Sequence, residues 1–259
     1  MLELSIPELV EWMNRFMWPL FRISSFFMAV PMIGSQLVPV RVRLGLAVIL
    51  TALIAPLLPP MPVYEGLSAE VVGIIVQQML IGFLLGFMVQ VLFHLFVVAG
   101  QMISSQMGLG FASMSDPTNG VSVVILAQYY LTIVMMMFLA MDGHLVLIDV
   151  IVGSFDVMPV GAVVPADVLW QVATAGSWMF SGALLLALPA VIALLVVNFA
   201  FGIMTKAAPQ LNIFAIGFPF TMLFGLFITW VSMAGFFGQY RRVSEQVLML
   251  VASLFSAGV

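Results

Sequence analysis

From Val71 to Ala99 the chain runs for 29 residues without a single Asp, Glu, Lys or Arg. As a helix rising 1.5 Å per residue this run extends about 43 Å, well beyond a bilayer hydrocarbon core of roughly 30 Å. It must therefore tilt strongly, kink, or stand out of the membrane. The next stretch is as restrictive. Gly100–Ser122, GQMISSQMGLGFASMSDPTNGVS, leads into another apolar run, Val123–Ala140. Gly100, Gly108, Gly110 and Gly120 loosen its backbone, and Asp116-Pro117-Thr118-Asn119-Gly120 is a turn signal. Met102, Ile103, Met107, Leu109, Phe111 and Met114 nevertheless make it too apolar for a solvated loop. Irregular backbone at membrane depth must be buried in protein or line a watery cavity, because lipid satisfies no N–H or C=O group. Two readings fit: a structured constriction or plug at a pore or subunit junction, or a large extramembrane loop whose methionines pack statically.

With 64% hydrophobic and 7% charged residues in 259, the chain reads as an all-α polytopic membrane protein of long kinked helices and helical hairpins. Continuous apolar runs exclude an outer-membrane barrel, whose strands alternate. A net charge of −4 without a basic face argues against nucleic acid. Zero cysteine removes disulfides, thiolate catalysis and cysteine-ligated metals. The acidic start, Met-Leu-Glu-Leu-Ser-Ile-Pro-Glu, lacks a cleavable-signal pattern. The 21 methionines and 22 phenylalanines supply bulky, adaptable packing groups.

In chain order, residues 1–13 predict a short amphipathic interfacial helix, with Glu3, Glu8 and Glu11 set against Leu4, Leu9, Val10 and Trp12. A first apolar segment, Phe16–Met32, carries Arg22, a cation that must snorkel, pair or face a polar interior. A polar, proline-bounded connection with Arg41 and Arg43 opens a second segment, Leu44–Leu58, which Pro56, Pro59, Pro60 and Pro62 end. In the third segment, Gln77, Gln78, Gln90 and His94 are too polar for lipid, and Gly82/Gly86 form a GxxxG step for close helix approach. Gly82, Gly86, Gln77 and Gln90 are expected to pack against other subunits. A fourth segment ends at Asp142-Gly143-His144, read as a polar helix cap and not a ligand pair. Segments five (Trp178–Met204) and six (Ile213–Phe237) flank a tight turn, with Lys206, Pro209, Gln210 and Asn212 expected to form a rigid hairpin. A short apolar C-terminal helix is expected near Val247–Phe255.

The positive-inside rule places Arg41, Arg43 and Lys206 on one side, but Arg15, Arg241 and Arg242 then fall opposite. No internal repeat is evident, which disfavours an inverted-repeat transporter. No phosphate-cradling loop and no catalytic constellation occurs, so no enzyme, cofactor or metal is expected. A small-solute transporter or ion channel lined by Arg22, His94 and Asp142 is the competing class; a scaffold without a pore-lining role is another.

Three stretches together resemble the FliR family, the flagellar export-gate subunit homologous to the T subunit of type III secretion injectisomes. They are Phe21-Arg-Ile-Ser-Ser-Phe-Phe-Met-Ala-Val-Pro31 with Pro39-Val-Arg-Val-Arg-Leu-Gly45; Gly100-Gln101 through Gln106-Met-Gly-Leu-Gly-Phe-Ala112 to Asp116-Pro117; and Ala208-Pro-Gln-Leu-Asn-Ile-Phe214 with Gly217-Phe-Pro219. The resemblance covers nearly the whole chain. It implies a helical hetero-oligomeric gate built with FliP-like and FliQ-like subunits, in the bacterial inner membrane at the flagellar basal body. FlhB-like and FlhA-like components would be neighbours, and unfolded flagellar proteins would be the cargo. A partner ATPase and the proton-motive force would supply energy. Residues 1–175 would correspond to a FliP-like portion and 176–259 to a FliQ-like hairpin with the C-terminal helix. The family's plug loop maps onto 106–122, with Met107, Gly108, Gly110, Phe111, Met114, Asp116, Pro117 and Gly120 as its gasket and turn. The turn at Lys206–Asn212 would face the cytoplasm. Methionine suits an unselective gasket because its unbranched thioether adapts to varied shapes, and apolar rings exclude water and ions.

Overall fold

The computed structural model describes residues 6–35, 38–64, 68–109, 125–208 and 213–256, and all regular structure among them is helical. The helices are α1 (Ile6–Ala29), α2 (Val40–Ile54, continued by a 3-10 turn at Ala55–Leu57), α3 (Ala69–Gln106), α4 (Ile125–Ala140), α5 (Gly143–Val157), α6 (Ala166–Ala207) and α7 (Ile213–Ser256). Four helices are long and apolar enough to cross a membrane: α2 with its 3-10 turn, α3, α6 and α7. The α4–α5 pair makes a fifth if it acts as one bent span.

Several boundaries differ from the sequence expectation. The amphipathic start and the first apolar segment form one 24-residue helix that continues through Pro19. Segment six and the expected C-terminal helix are likewise one 44-residue helix through Arg241 and Arg242. An Arg241 Nε–Glu245 Oε1 bond of 2.8 Å, one helical turn apart, satisfies the charge that argues for a break there. Between α5 and α6 only residues 158–165 are non-helical, and α6 begins twelve residues before the expected start of segment five at Trp178. At Asp142 the break is real, but the carboxylate does not cap. The residue adopts the left-handed conformation (φ 56°), and its backbone carbonyl accepts from the N–H groups of Leu145 and Val146. The helices on either side meet at 74°. Asp is one of the few non-glycine residues that visits this region at modest cost.

The chain forms two compact units interleaved along the sequence: Met1–Val91, Leu139–Ala175 and Val247–Val259 in the first, Leu92–Phe138 and Gly176–Gln246 in the second. In the first unit α1 and α3 pack side by side along a four-residue stripe. Gln78, Gly82, Gly86 and Gln90 of α3 meet Arg22, Ser25, Phe26 and Ala29 of α1. A Cβ on Gly82 would fall on the Arg22 carbonyl and the Ser25 hydroxyl; one on Gly86 would fall on Ala29 and the Phe26 carbonyl. Gln90 Nε2 donates to the Ala29 carbonyl at 2.6 Å. The GxxxG step therefore works within the chain, and α1 takes up the close approach expected for another subunit.

Below that stripe the proline-rich link after α2 is stitched to α1. Trp18 Nε1 donates to the Pro62 carbonyl (3.3 Å) and Asn14 Nδ2 to that of Tyr64 (3.4 Å). Trp18, Val71 and Ile74 are buried together.

Arg22 itself is fully buried. Nε donates to Gln78 Oε1 (2.9 Å), Nη1 to the Ser154 carbonyl (2.8 Å) and hydroxyl (3.0 Å), and Nη2 to the Met158 carbonyl (2.7 Å). The guanidinium also lies 3.9 Å from the Phe155 ring centroid. The cation thus caps the carboxyl end of α5, where orphan carbonyls and the helix dipole favour positive charge. Gln78, not Gln77, is its side-chain partner; Gln77 is only half-buried.

In the second unit the latter half of α3 is enclosed by α4, α6 and α7. Gly100 abuts Ala127 and Tyr130 of α4, Gly182 of α6 abuts Leu95, and Gly225 of α7 abuts Met107. Rings bridge the gaps between these contacts: Phe93 and Phe138 at 5.3 Å, Phe96 and Phe236 at 5.4 Å, Tyr130 stacked on Phe236 at 5.3 Å. Of the apolar windows, 61% of that in α3 is buried within the chain, against 17% in α6 and 22% in α7. α3 buries most of its apolar window, whereas α6 and α7 leave most of theirs exposed.

This packing has two measurable consequences. Gly86→Leu should destabilise the full chain in detergent by about 2–3 kcal/mol, since it overpacks a backbone contact. Gly73→Ala and Gly153→Ala, which meet open space, should be neutral or stabilising by up to about 1 kcal/mol; equal effects at all three positions, read by thermal unfolding, would refute the stripe. Arg22→Met should cost about 3–5 kcal/mol, because it leaves the Met158 carbonyl and Gln78 Oε1 without the guanidinium that serves them. Arg22→Lys should recover only part of that, since one ammonium cannot span the fork.

Candidate functional site

The Met- and Gly-rich stretch begins at the carboxyl end of α3, and its base is well defined. The Gly108 N–H donates to the Ser105 carbonyl (3.2 Å) and the Leu109 N–H to that of Ser104 (3.1 Å), the paired bonds of a Schellman cap. Gly108 sits at φ +78°, so the left-handed position the cap needs is filled by the residue that reaches it freely. A Cβ there would also strike the ring of Phe218 in α7.

Flanking residues fasten this helix end further. Met107 is fully buried, with its Cγ, Sδ and Cε against Gly225. Asn198 of α6 donates from Nδ2 to the Gln106 carbonyl at 3.2 Å. Phe201 of α6 meets Phe220 of α7 edge-on at 5.4 Å. Between these elements lies a cavity of about 330 Å³ whose wall mixes Ser105, Asn198, Thr205 and Thr221 with Phe201 and Phe218. The Ser104 hydroxyl is buried without a hydrogen-bond partner among the described residues.

Of the residues expected to form the gasket, Met107 is anchored in the static packing of the α3 end, and Gly108 is the cap glycine. Gly110, Phe111, Met114, Asp116, Pro117 and Gly120 lie outside the described residues. Of the expected turn, Lys206 is exposed in the last turn of α6, where a cation complements the helix dipole; Pro209, Gln210 and Asn212 lie outside the described residues. Asn198 and Phe218 belong to this site although no sequence pattern assigns them to it. The asparagine in an otherwise apolar helix is the available signal for the first, and the second stands in the Gly217-Phe-Pro219 stretch quoted for the family resemblance.

Two of the three competing pathway residues, Arg22 and Asp142, are placed where they do not line a conduit. Arg22 spends its donors on carbonyl and side-chain oxygens at a helix end, and Asp142 is exposed at the α4–α5 bend. Among the described residues no group of three or more His, Asp or Glu could hold a metal ion.

Comparison with known proteins places this architecture. Residues 13–247 match the family model described as bacterial export proteins, family 1. The flagellar biosynthetic protein FliR of Escherichia coli strain K12 is 38% identical over 229 residues, 87% of each chain. That of Pectobacterium carotovorum is 36% identical, again over 87% of each. That of Buchnera aphidicola from Acyrthosiphon pisum is 30% identical over 87% of this chain and 88% of its own. With the family model spanning nearly the whole helical array, this chain belongs to the FliR family of bacterial export proteins and is a membrane component of the flagellar export apparatus.

Proposed function

We propose that the chain is a core subunit of the export gate at the flagellar base in the bacterial inner membrane. There it forms, with FliP-like and FliQ-like subunits, the channel through which unfolded flagellar proteins leave the cytoplasm. FlhA-like and FlhB-like components are the proposed neighbours on the cytoplasmic side, and residues 106–122 close the pore. The protein contributes structure to export and is not an enzyme.

The observation that carries the closure is the fastening of the α3 end. A loop that yields to a passing chain and then recloses needs a base that does not move. Gln106, Met107 and Gly108 are held by Asn198, Gly225 and Phe218 immediately before the Met- and Gly-rich stretch begins. Assembly with other subunits is supported by helix length and exposure. At 1.5 Å per residue, α6 (42 residues) and α7 (44 residues) extend about 63 and 66 Å. Hydrocarbon roughly 30 Å thick covers less than half of that. Exposed apolar side chains such as Phe199, Phe227 and Trp230 therefore call for protein neighbours along part of their length.

Deleting Gly110–Gly120 leaves the anchored helix end and α4 in place. Assembled gates should then leak ions, read as conductance, and cells should lose motility; normal assembly with unchanged conductance would sink the closure. Phe111→Ala and Met114→Ala should loosen the seal by degrees. Gly108→Val should weaken the loop base through both its positive φ and the Phe218 ring. Because the chain has no native cysteine, Lys206→Cys offers a clean topology probe. An impermeant maleimide should reach it only from the cytoplasmic side, and labelling from the periplasm would refute that placement.

A further inference from the structure

Within the first unit, α1, α2 and α5 leave a crevice of about 270 Å³. Phe26 and Phe27 form one wall, Leu50 and Leu53 another, Leu147 and Ile151 the third, with His144 at the rim. We infer that this crevice holds one acyl chain of a phospholipid whose phosphate sits at Arg43.

The walls accept an apolar occupant. Apart from His144 the lining offers no hydrogen-bond partner, so a polar occupant would be stranded. A dry cavity of about 150 Å³ already takes benzene, so this volume takes a longer hydrocarbon. Hydrocarbon is also what the outer wall faces. α2 with its 3-10 turn is among the helices long and apolar enough to cross a membrane, and only 22% of it is buried within the chain. Leu46, Ile49 and Leu53 are 42%, 67% and 69% exposed at the mouth.

Charge complementarity fixes the headgroup end. Arg43, Leu46, Leu50 and Leu53 are spaced three, four and three residues apart on α2, so the guanidinium tops the stripe that lines the crevice. Arg43 Nη2 donates to the Ser35 carbonyl (2.5 Å) and Nε to that of Val38 (3.0 Å), which fixes the fork while Nη1 makes no hydrogen bond among the described residues. Arg41, exposed, adds a second cation at this end. α2 begins after Pro39 without a side-chain cap, and the positive end of its dipole adds to the attraction for an anion. His144 lies at the same end. Arg22 ties α1 to the carboxyl end of α5, which leaves the start of α5 beside Ile33 and the start of α2.

The test uses the full-length chain in phosphatidylcholine bilayers doped with phosphatidylglycerol carrying a diazirine on one acyl chain. After irradiation, label should concentrate on Leu46–Leu53 and Leu147–Ile151 at severalfold the level on Leu184–Leu195 of α6, whose exposed side chains sample bulk lipid. Leu50→Trp and Ile148→Phe, which fill the crevice from opposite walls, should each lower that label to the bulk level. Arg43→Gln should reduce it about fivefold, while Arg43→Lys should largely keep it. Label no higher than bulk in the unaltered chain would overturn the proposal without recourse to any variant, as would label that survives both fillers. A diazirine fatty acid lacking the phosphate that labels equally well would overturn the headgroup assignment. Loss of label when FliP-like and FliQ-like subunits are co-expressed would show that protein covers the crevice instead.

Discussion

A guanidinium without a carboxylate partner among the described residues holds the first unit together. Arg22 is buried among apolar side chains, and the expected cost of such a charge is several kcal/mol. The compensation is a helix end. Four hydrogen bonds from a charged donor, each worth about 1.5–3 kcal/mol, go to Gln78, to the Ser154 carbonyl and hydroxyl, and to the Met158 carbonyl at the end of α5. The net is small, as usual for buried charge. The specificity is large, because only one placement of α5 offers Ser154 and Met158 to the fork while Gln78 of α3 reaches Nε.

Small residues then decide how closely the helices approach. Apolar packing in a lipid environment gains little from the hydrophobic effect itself, since acyl chains are as apolar as leucine. Close contact must come from shape. Gly82 and Gly86 let α1 down onto α3, and Gly100, Gly182 and Gly225 do the same for α4, α6 and α7 around its latter half. The largest side chains, Phe93, Phe96, Phe236 and Tyr240, fill the space between. The consequence for function is that α3 ends in a fastened cap, and the Met- and Gly-rich stretch departs from its tip.

The outward surfaces belong to a second kind of chemistry. Helices of about 57 to 66 Å carry apolar side chains along lengths that no bilayer covers. Such surfaces are stable only against lipid over part of their length and against protein over the rest. The crevice lined by α2 belongs to the lipid part, with cations at one end of an apolar helix and hydrocarbon-sized space beneath them. Membership of the FliR family agrees with the protein part, since its members serve an export apparatus.

Much of the fold was legible in the sequence. The charge-free run from Val71 makes a helix longer than a bilayer because nothing in it stops one, and the prolines after Ala55 end α2 because they cannot continue it. The three family stretches carry the family assignment without any coordinate. Local chemistry misled where it was outvoted. The change from an amphipathic start to an apolar segment at residues 13–16 and the Arg241-Arg242 pair look like breaks, but α1 and α7 run through them, because neither a change of polarity nor a charge pair one turn apart interrupts the backbone hydrogen bonds of a helix. Partners were the part no local pattern could supply. A GxxxG step says that some backbone will come close but not whose, and a buried arginine says that acceptors must exist but not where. Tertiary structure answered α1 for the glycines, the end of α5 for Arg22, and Gly225 for Met107. Each answer depends on two residues far apart in sequence meeting within a few ångströms, and only the folded chain brings them together.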